Sequence, residues 1–114
     1  MEGKGRQTWA DGRTYEGGYK DNKFHGYGVS EWADGRRYAG MYKKDQREGP
    51  GIYTWEDGRQ YDGNWRKDKP HGEGKYTDED GVIKCGTWLG GKREGPWTRK
   101  YRLVKTYDSI SSDD

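Results

Sequence analysis

Glycine recurs along this chain with a fixed step. Gly3, Gly26, Gly49, Gly72 and Gly95 are 23 residues apart each time. Gly5, Gly28, Gly51 and Gly74 keep the same step, as do Gly12, Gly35, Gly58 and Gly81, and Gly17, Gly40, Gly63 and Gly86. These columns hold 17 of the 20 glycines, so the chain is an array of one short unit. Other residues share the phase. Trp9, Trp32 and Trp55 form one column, Tyr15, Tyr38 and Tyr61 a second, and Tyr19, Tyr42, Trp65 and Trp88 a third. Asp11, Asp34, Asp57 and Asp80 each precede a turn glycine. Four units begin at Gly3, Gly26, Gly49 and Gly72, and a partial one at Gly95.

Composition limits what such an array can bury. Leu, Ile, Val and Phe number nine in 114 residues, which excludes a Rossmann unit, a helical bundle and a transmembrane span. Seventeen aromatic residues and a net charge of only +2 oppose disorder. The single cysteine, Cys85, excludes an intramolecular disulfide and fits a reducing compartment. Met1-Glu2-Gly3-Lys4-Gly5 has no apolar stretch, so no secretory signal is expected.

Asp-Gly between alternating segments signals a β-hairpin. Side-chain parity then selects the loop. A two-residue Asp34-Gly35 loop would put Trp32 and Tyr38 on opposite faces. A three-residue loop, Ala33-Asp34-Gly35, pairs Trp32 with Arg36 and places Gly35 in the left-handed position of a bulge. Gly28, Ser30, Trp32, Tyr38, Gly40 and Tyr42 then share one face, and Val29, Glu31, Arg37, Ala39 and Met41 the other. An aromatic ring lying over a strand glycine recovers the packing that the glycine lacks. Burying half of one ring contributes roughly 2–3 kcal/mol, enough for a sheet with almost no aliphatic side chains. Polar stretches such as 20–25 are too short for helices and are expected to return the chain to the next hairpin.

The predicted fold is all-β, an elongated single-layer twisted antiparallel sheet of consecutive 23-residue hairpins, eight or nine strands spanning roughly 40 Å. The expected organisation is a repeat ribbon over residues 1–97, a C-terminal cap of strand or short helix over 98–107, and an acidic tail over 108–114. In the last units Asp78, Lys84 and Trp97 replace the column Trp, Tyr and Gly. Terminal repeats are normally atypical in this way.

Tyr38-Ala39-Gly40-Met41-Tyr42, His25-Gly26-Tyr27-Gly28 and Glu48-Gly49-Pro50-Gly51 resemble the MORN (membrane occupation and recognition nexus) repeat. The nearest likeness is Tyr61-Asp62-Gly63-Asn64-Trp65 followed by His71-Gly72-Glu73-Gly74. The resemblance covers about residues 3–97. It implies a ribbon of β-hairpins and a scaffold or docking module, as in junctophilins, plant phosphatidylinositol-phosphate kinases, and ciliary and cytoskeletal proteins. It implies binding rather than catalysis.

No residue set is expected to carry chemistry. His25 and His71 fall two units apart, about 19 Å along the sheet, too far to share one metal ion. Cys85 has no His partner that would make it a nucleophile. The turn aspartates serve their own backbone amides, and no six to eight oxygens converge as calcium requires. The repeated Gly-x-Gly lacks the strand-to-helix context of a phosphate loop. Modest net charge argues against nucleic acid. Neither a catalytic residue, nor a metal, nor a cofactor is expected.

The expected function is a non-enzymatic scaffold that takes a partner helix or extended peptide on its aromatic–glycine face. Trp32, Tyr38, Tyr42, Trp55, Tyr61 and Trp65 are the partner-binding candidates, because a one-layer sheet should leave an apolar strip exposed. The resemblance suggests a subunit of a cytoskeletal or ciliary assembly. The alternative is a peripheral adaptor on anionic phosphoinositide membranes through a rim of Lys20, Lys43, Lys44, Arg66, Lys67, Lys92 and Arg93. Unpaired sheet edges leave self-association open. The expected location is cytoplasmic, on the cytoskeleton or cilium or at a membrane periphery.

Overall fold

The Asp-Gly turns close as three-residue loops. Trp32 N donates to Arg36 O at 2.9 Å and Gly35 N to Trp32 O at 3.1 Å, with Gly35 at φ +101°. The same pair of bonds closes the turns after Trp9, Trp55 and Asp78. Asp34 Oδ1 accepts the Arg36 amide at 3.1 Å, and Asp11 and Asp57 do the same for Arg13 and Arg59.

The computed structural model describes residues 2–102. It contains nine strands: β1 (Gly3–Thr8), β2 (Thr14–Lys20), β3 (Lys23–Glu31), β4 (Arg37–Lys43), β5 (Gln46–Thr54), β6 (Gln60–Arg66), β7 (Lys69–Thr77), β8 (Val82–Leu89) and β9 (Lys92–Arg102). They form one antiparallel sheet in chain order, 53 × 39 × 24 Å. Residues 98–102 continue β9, and the remainder of the expected cap, with the acidic tail, lies outside the described residues.

The polar stretches between hairpins differ from the simple returns expected. They are two-residue turns with both residues left-handed: Asp21-Asn22, Lys44-Asp45, Lys67-Asp68 and Gly90-Gly91. The strands therefore run almost to the turn tips. Each tip is tied to the preceding unit. Asp45 N donates to Phe24 O at 3.1 Å, and Phe24 N returns a bond to Asp45 Oδ1 at 2.7 Å. Asp68 and Arg47 repeat this exchange. Such ties hold Lys44 and Lys67 in a region that lysine disfavours.

Eight glycines, Gly5, Gly17, Gly28, Gly40, Gly51, Gly63, Gly74 and Gly86, pair in register across β1 to β8. Tyrosine rings lie over this track. A Cβ added to Gly40 would stand 2.7 Å from the Tyr38 hydroxyl, and one on Gly63 equally close to that of Tyr61. The Tyr38 hydroxyl donates to Met41 O at 2.8 Å, and Tyr15 and Tyr61 donate likewise to Gly18 and Asn64. These acceptors sit where the strand register shifts, so a hydroxyl supplies a donor where the ladder is interrupted.

The core is a row of touching rings. Each column tyrosine meets the third-column aromatic of its own unit and of the next edge-on: Tyr38 with Tyr42 and Trp65, Tyr61 with Trp65 and Trp88. Phe24 stacks flat on Tyr15 at 3.7 Å. Buried Ser30 shares a 2.7 Å hydrogen bond with the Tyr42 hydroxyl.

Candidate binding surfaces

The ring row fills the trough that was expected to stay open. Tyr38, Tyr42, Tyr61 and Trp65 are buried, so four of the six partner-binding candidates form the floor of the aromatic face. The coiled sheet turns each ring against a glycine and the next ring, and these replace the missing second layer. Trp32 and Trp55 are half-buried and accessible. With Trp9 they make a row along the edge of three-residue turns.

Arginines hold this tryptophan row. Arg13 lies 4.8 Å from the Trp9 ring centroid and 5.1 Å from that of Trp32, bridging two units. Arg36 sits over Trp32 and Arg59 over Trp55. Both are fixed by the turn aspartates, at 2.8 Å to Asp34 and 2.7 Å to Asp57. The Asp34 and Asp57 carboxyls are held below the usual carboxylate range, first by the backbone amides of Arg36 and Arg59 and then by their guanidinium groups. A cleft of about 200 Å³ beside Trp32 is lined by Asp11, Arg13, Asp34 and Arg36. Arg13 Nε is buried without a hydrogen-bond partner among the described residues.

A further column escaped the sequence reading. Phe24, Arg47, Pro70 and Arg93 are 23 apart and pair with Tyr19, Tyr42, Trp65 and Trp88. The step was visible, but dissimilar residue types hid the ring-covering role that Phe24, Arg47 and Arg93 share. Arg47 lies 4.4 Å over Trp65 and bonds Asp68 at 2.8 Å. Arg93 lies 4.0 Å over Trp97, so it leaves the basic rim for the aromatic face. Lys20, Lys43, Lys44, Arg66, Lys67 and Lys92 do gather along the edge of two-residue turns.

The reverse face carries the exposed apolar residues. Tyr27 pairs with Met41, and Ala39 with Val29 and Ile52; Tyr27 is 60% exposed. A concavity of about 450 Å³ also opens there, lined by Asp62, Asn64, Lys75, Cys85, Thr87 and Thr98 among others. Neither histidine lines it. Among the described residues no three metal-ligating side chains converge.

The sequence model of the MORN repeat matches residues 1–12, 15–36, 38–58, 61–83 and 85–96. No curated protein sequence matches the chain. The matched units begin on β2, β4, β6 and β8, so the family's unit pairs strands across the two-residue turns.

Proposed function

The chain belongs to the MORN repeat family, a repeat module for binding proteins or membranes, and from that premise we propose that it is a non-catalytic scaffold for a protein partner. The observation that supports this is the accessible row Trp9, Trp32, Trp55, lying above a floor of Tyr38, Tyr42, Tyr61 and Trp65. Its members are two strands apart, about 10 Å. Seven residues of α-helix rise about 10.5 Å, so a helix with an apolar residue every seven places one on each tryptophan. The cleft beside Trp32, lined by Arg13, Asp34 and Arg36, offers such a helix charged groups beside its apolar contacts. The resemblance of the repeats to those of ciliary and cytoskeletal proteins motivates assignment to an assembly of that kind.

Affinity purification from the native source, with identification of co-purifying proteins, tests the reading. Trp32→Ala/Trp55→Ala is the informative variant, since both side chains reach solvent; a Tyr42/Trp65 pair would disturb the core. Loss of partner capture with an unchanged melting curve supports the scaffold. Undiminished capture overturns it. The second reading, a peripheral adaptor on anionic membranes, is motivated by the gathered Lys20, Lys43, Lys44, Arg66, Lys67 and Lys92. It requires co-sedimentation with phosphoinositide vesicles at low salt that fades at high salt.

A further inference from the structure

The two-residue turns carry a second repeat, in charge. The first residue of each turn, Asp21, Lys44, Lys67 or Gly90, faces one member of the column Glu2, His25, Glu48, His71, which alternates between acid and imidazole. Where the column residue is glutamate, it caps the turn. Asp21 N donates to Glu2, and Lys67 N donates to Glu48 Oε1 at 3.1 Å. Where it is histidine, a cleft stands open. One of about 180 Å³ is lined by Lys20, Asp21, Lys23, His25, Lys43 and Lys44. The other, about 340 Å³, is lined by Arg66, Lys67, Lys69, His71, Leu89 and Gly90. Among the described residues no carboxylate caps the Lys44 or Gly90 amide as Glu2 and Glu48 cap theirs.

We propose that these two clefts are carboxylate sites for an acidic, extended segment of a protein partner, which supplies from outside the group that Glu2 and Glu48 supply from within. The proposal rests on the scaffold reading and adds the chemistry of one partner segment. Two observations carry it. The molecule itself seats a carboxylate at the equivalent place in alternate units. Each vacant place is also ringed by cations in excess: four lysines against Asp21 in the first cleft, and Arg66, Lys67 and Lys69 in the second. An amide with converging ammonium groups makes charge-assisted hydrogen bonds to a carboxylate. Spacing defines the segment further. The clefts lie two units apart, about 19 Å along the edge. An extended chain rises about 3.3 Å per residue, so acidic residues about six apart reach both clefts.

Synthetic peptides test this. A Gly/Ser peptide with two Glu pairs six residues apart is titrated against the full chain by calorimetry, beside versions with one pair and with Gln in place of Glu. The two-pair peptide is expected to bind roughly tenfold or more tightly than either, and to weaken as salt rises. His25→Glu/His71→Glu installs the missing carboxylates, so it should abolish binding while keeping or raising Tm. Glu48→His should open a third cleft and strengthen binding of a three-pair peptide. Equal binding by His25→Glu/His71→Glu, equal binding of the Gln peptide, or binding to anionic vesicles but to no peptide overturns the proposal. Trp32→Ala/Trp55→Ala should bind the two-pair peptide like the wild type, so failure of the tryptophan row and failure of the clefts read out separately.

Discussion

Lys84 Nζ lies 3.4 Å from Asp78 Oδ2, and both residues stand where earlier units have aromatic rings. Trp97, in a column that is otherwise glycine, has its ring against Gly86 and edge-on to Trp88. Three departures from the repeat thus form one compensated exchange. Two rings become an ion pair, and a ring from the neighbouring strand covers Gly86. Asp78 also accepts the Asp80 and Val82 amides at 3.0 Å each. Asp78→Ala should therefore lower Tm more than Lys84→Ala. The Asp78 carboxyl is held below its ordinary 3.8, chiefly by the Val82 amide. Its contribution is present above that pH and lost as pH falls through the depressed folded value. The gap between wild type and Asp78→Ala should close in melts below pH 3.8.

Gly51 and Tyr38 give a sharper stability test. A methyl on Gly51 meets the Tyr38 hydroxyl and ring well inside van der Waals contact. Gly51→Ala should lose about 1–3 kcal/mol by overpacking, read in urea unfolding. Gly58 has open space but φ +94°, so Gly58→Ala should lose only about 1 kcal/mol, from backbone strain. Tyr38→Phe removes the nearest atom, and in combination should recover part of the Gly51→Ala loss. Strict additivity of the two would count against ring-over-glycine packing.

The hairpin period, the three-residue turn and the shared face of Trp32, Tyr38 and Tyr42 were legible because each follows from one 23-residue step and strand parity. The two-residue turns were not, since Lys44-Asp45 and Lys67-Asp68 lack the glycine that usually marks two left-handed residues. What holds them is a contact one unit away, Asp45 with Phe24 and Asp68 with Arg47. The burial of Tyr38, Tyr42, Tyr61 and Trp65 was not legible for a related reason. Parity says which side chains share a face, but not that Tyr61 is closed between Trp65 and Trp88. The accessible apolar positions are the half-buried Trp32 and Trp55 and the exposed reverse-face Tyr27 and Met41.

The buried tyrosines predict the alkaline limit of the fold. Burial raises Tyr15 and Tyr38 above their ordinary 10.0, and pushes Tyr61 up to about 12. Below pH 10 the native sheet has the full benefit of these neutral rings. As pH rises from 10 toward the folded values, the unfolded chain loses protons that the native one retains, and stability falls. Absorbance titration at 295 nm should show a late group of tyrosines ionising together with loss of the near-ultraviolet circular dichroism. Ionisation of every tyrosine in one step near pH 10, with the fold intact, contradicts the buried hydroxyls.

Arg47 tests whether its column is defined by charge or by cover. The guanidinium lies 4.4 Å over Trp65, 5.4 Å over Tyr53 and 5.8 Å over Tyr38, and it bonds Asp68 at 2.8 Å. The equivalent residue one unit earlier is Phe24, which stacks on Tyr15 without any charge. A flat group over a core ring is what the two share. Arg47→Ala removes ring cover and leaves Trp65 facing water, a loss of about 2 kcal/mol. Arg47→Phe keeps the cover and gives up the partly exposed ion pair with Asp68 and the bond to Asp68 O, so it should lose less than Arg47→Ala, about 1 kcal/mol. Arg47→Lys keeps the charge but not the flat face, and should fall between the two. Urea unfolding of the three variants checks this order. If lysine is tolerated better than phenylalanine, the column is electrostatic, and the ion pair with Asp68 rather than ring packing holds the turn at 67–68 in place.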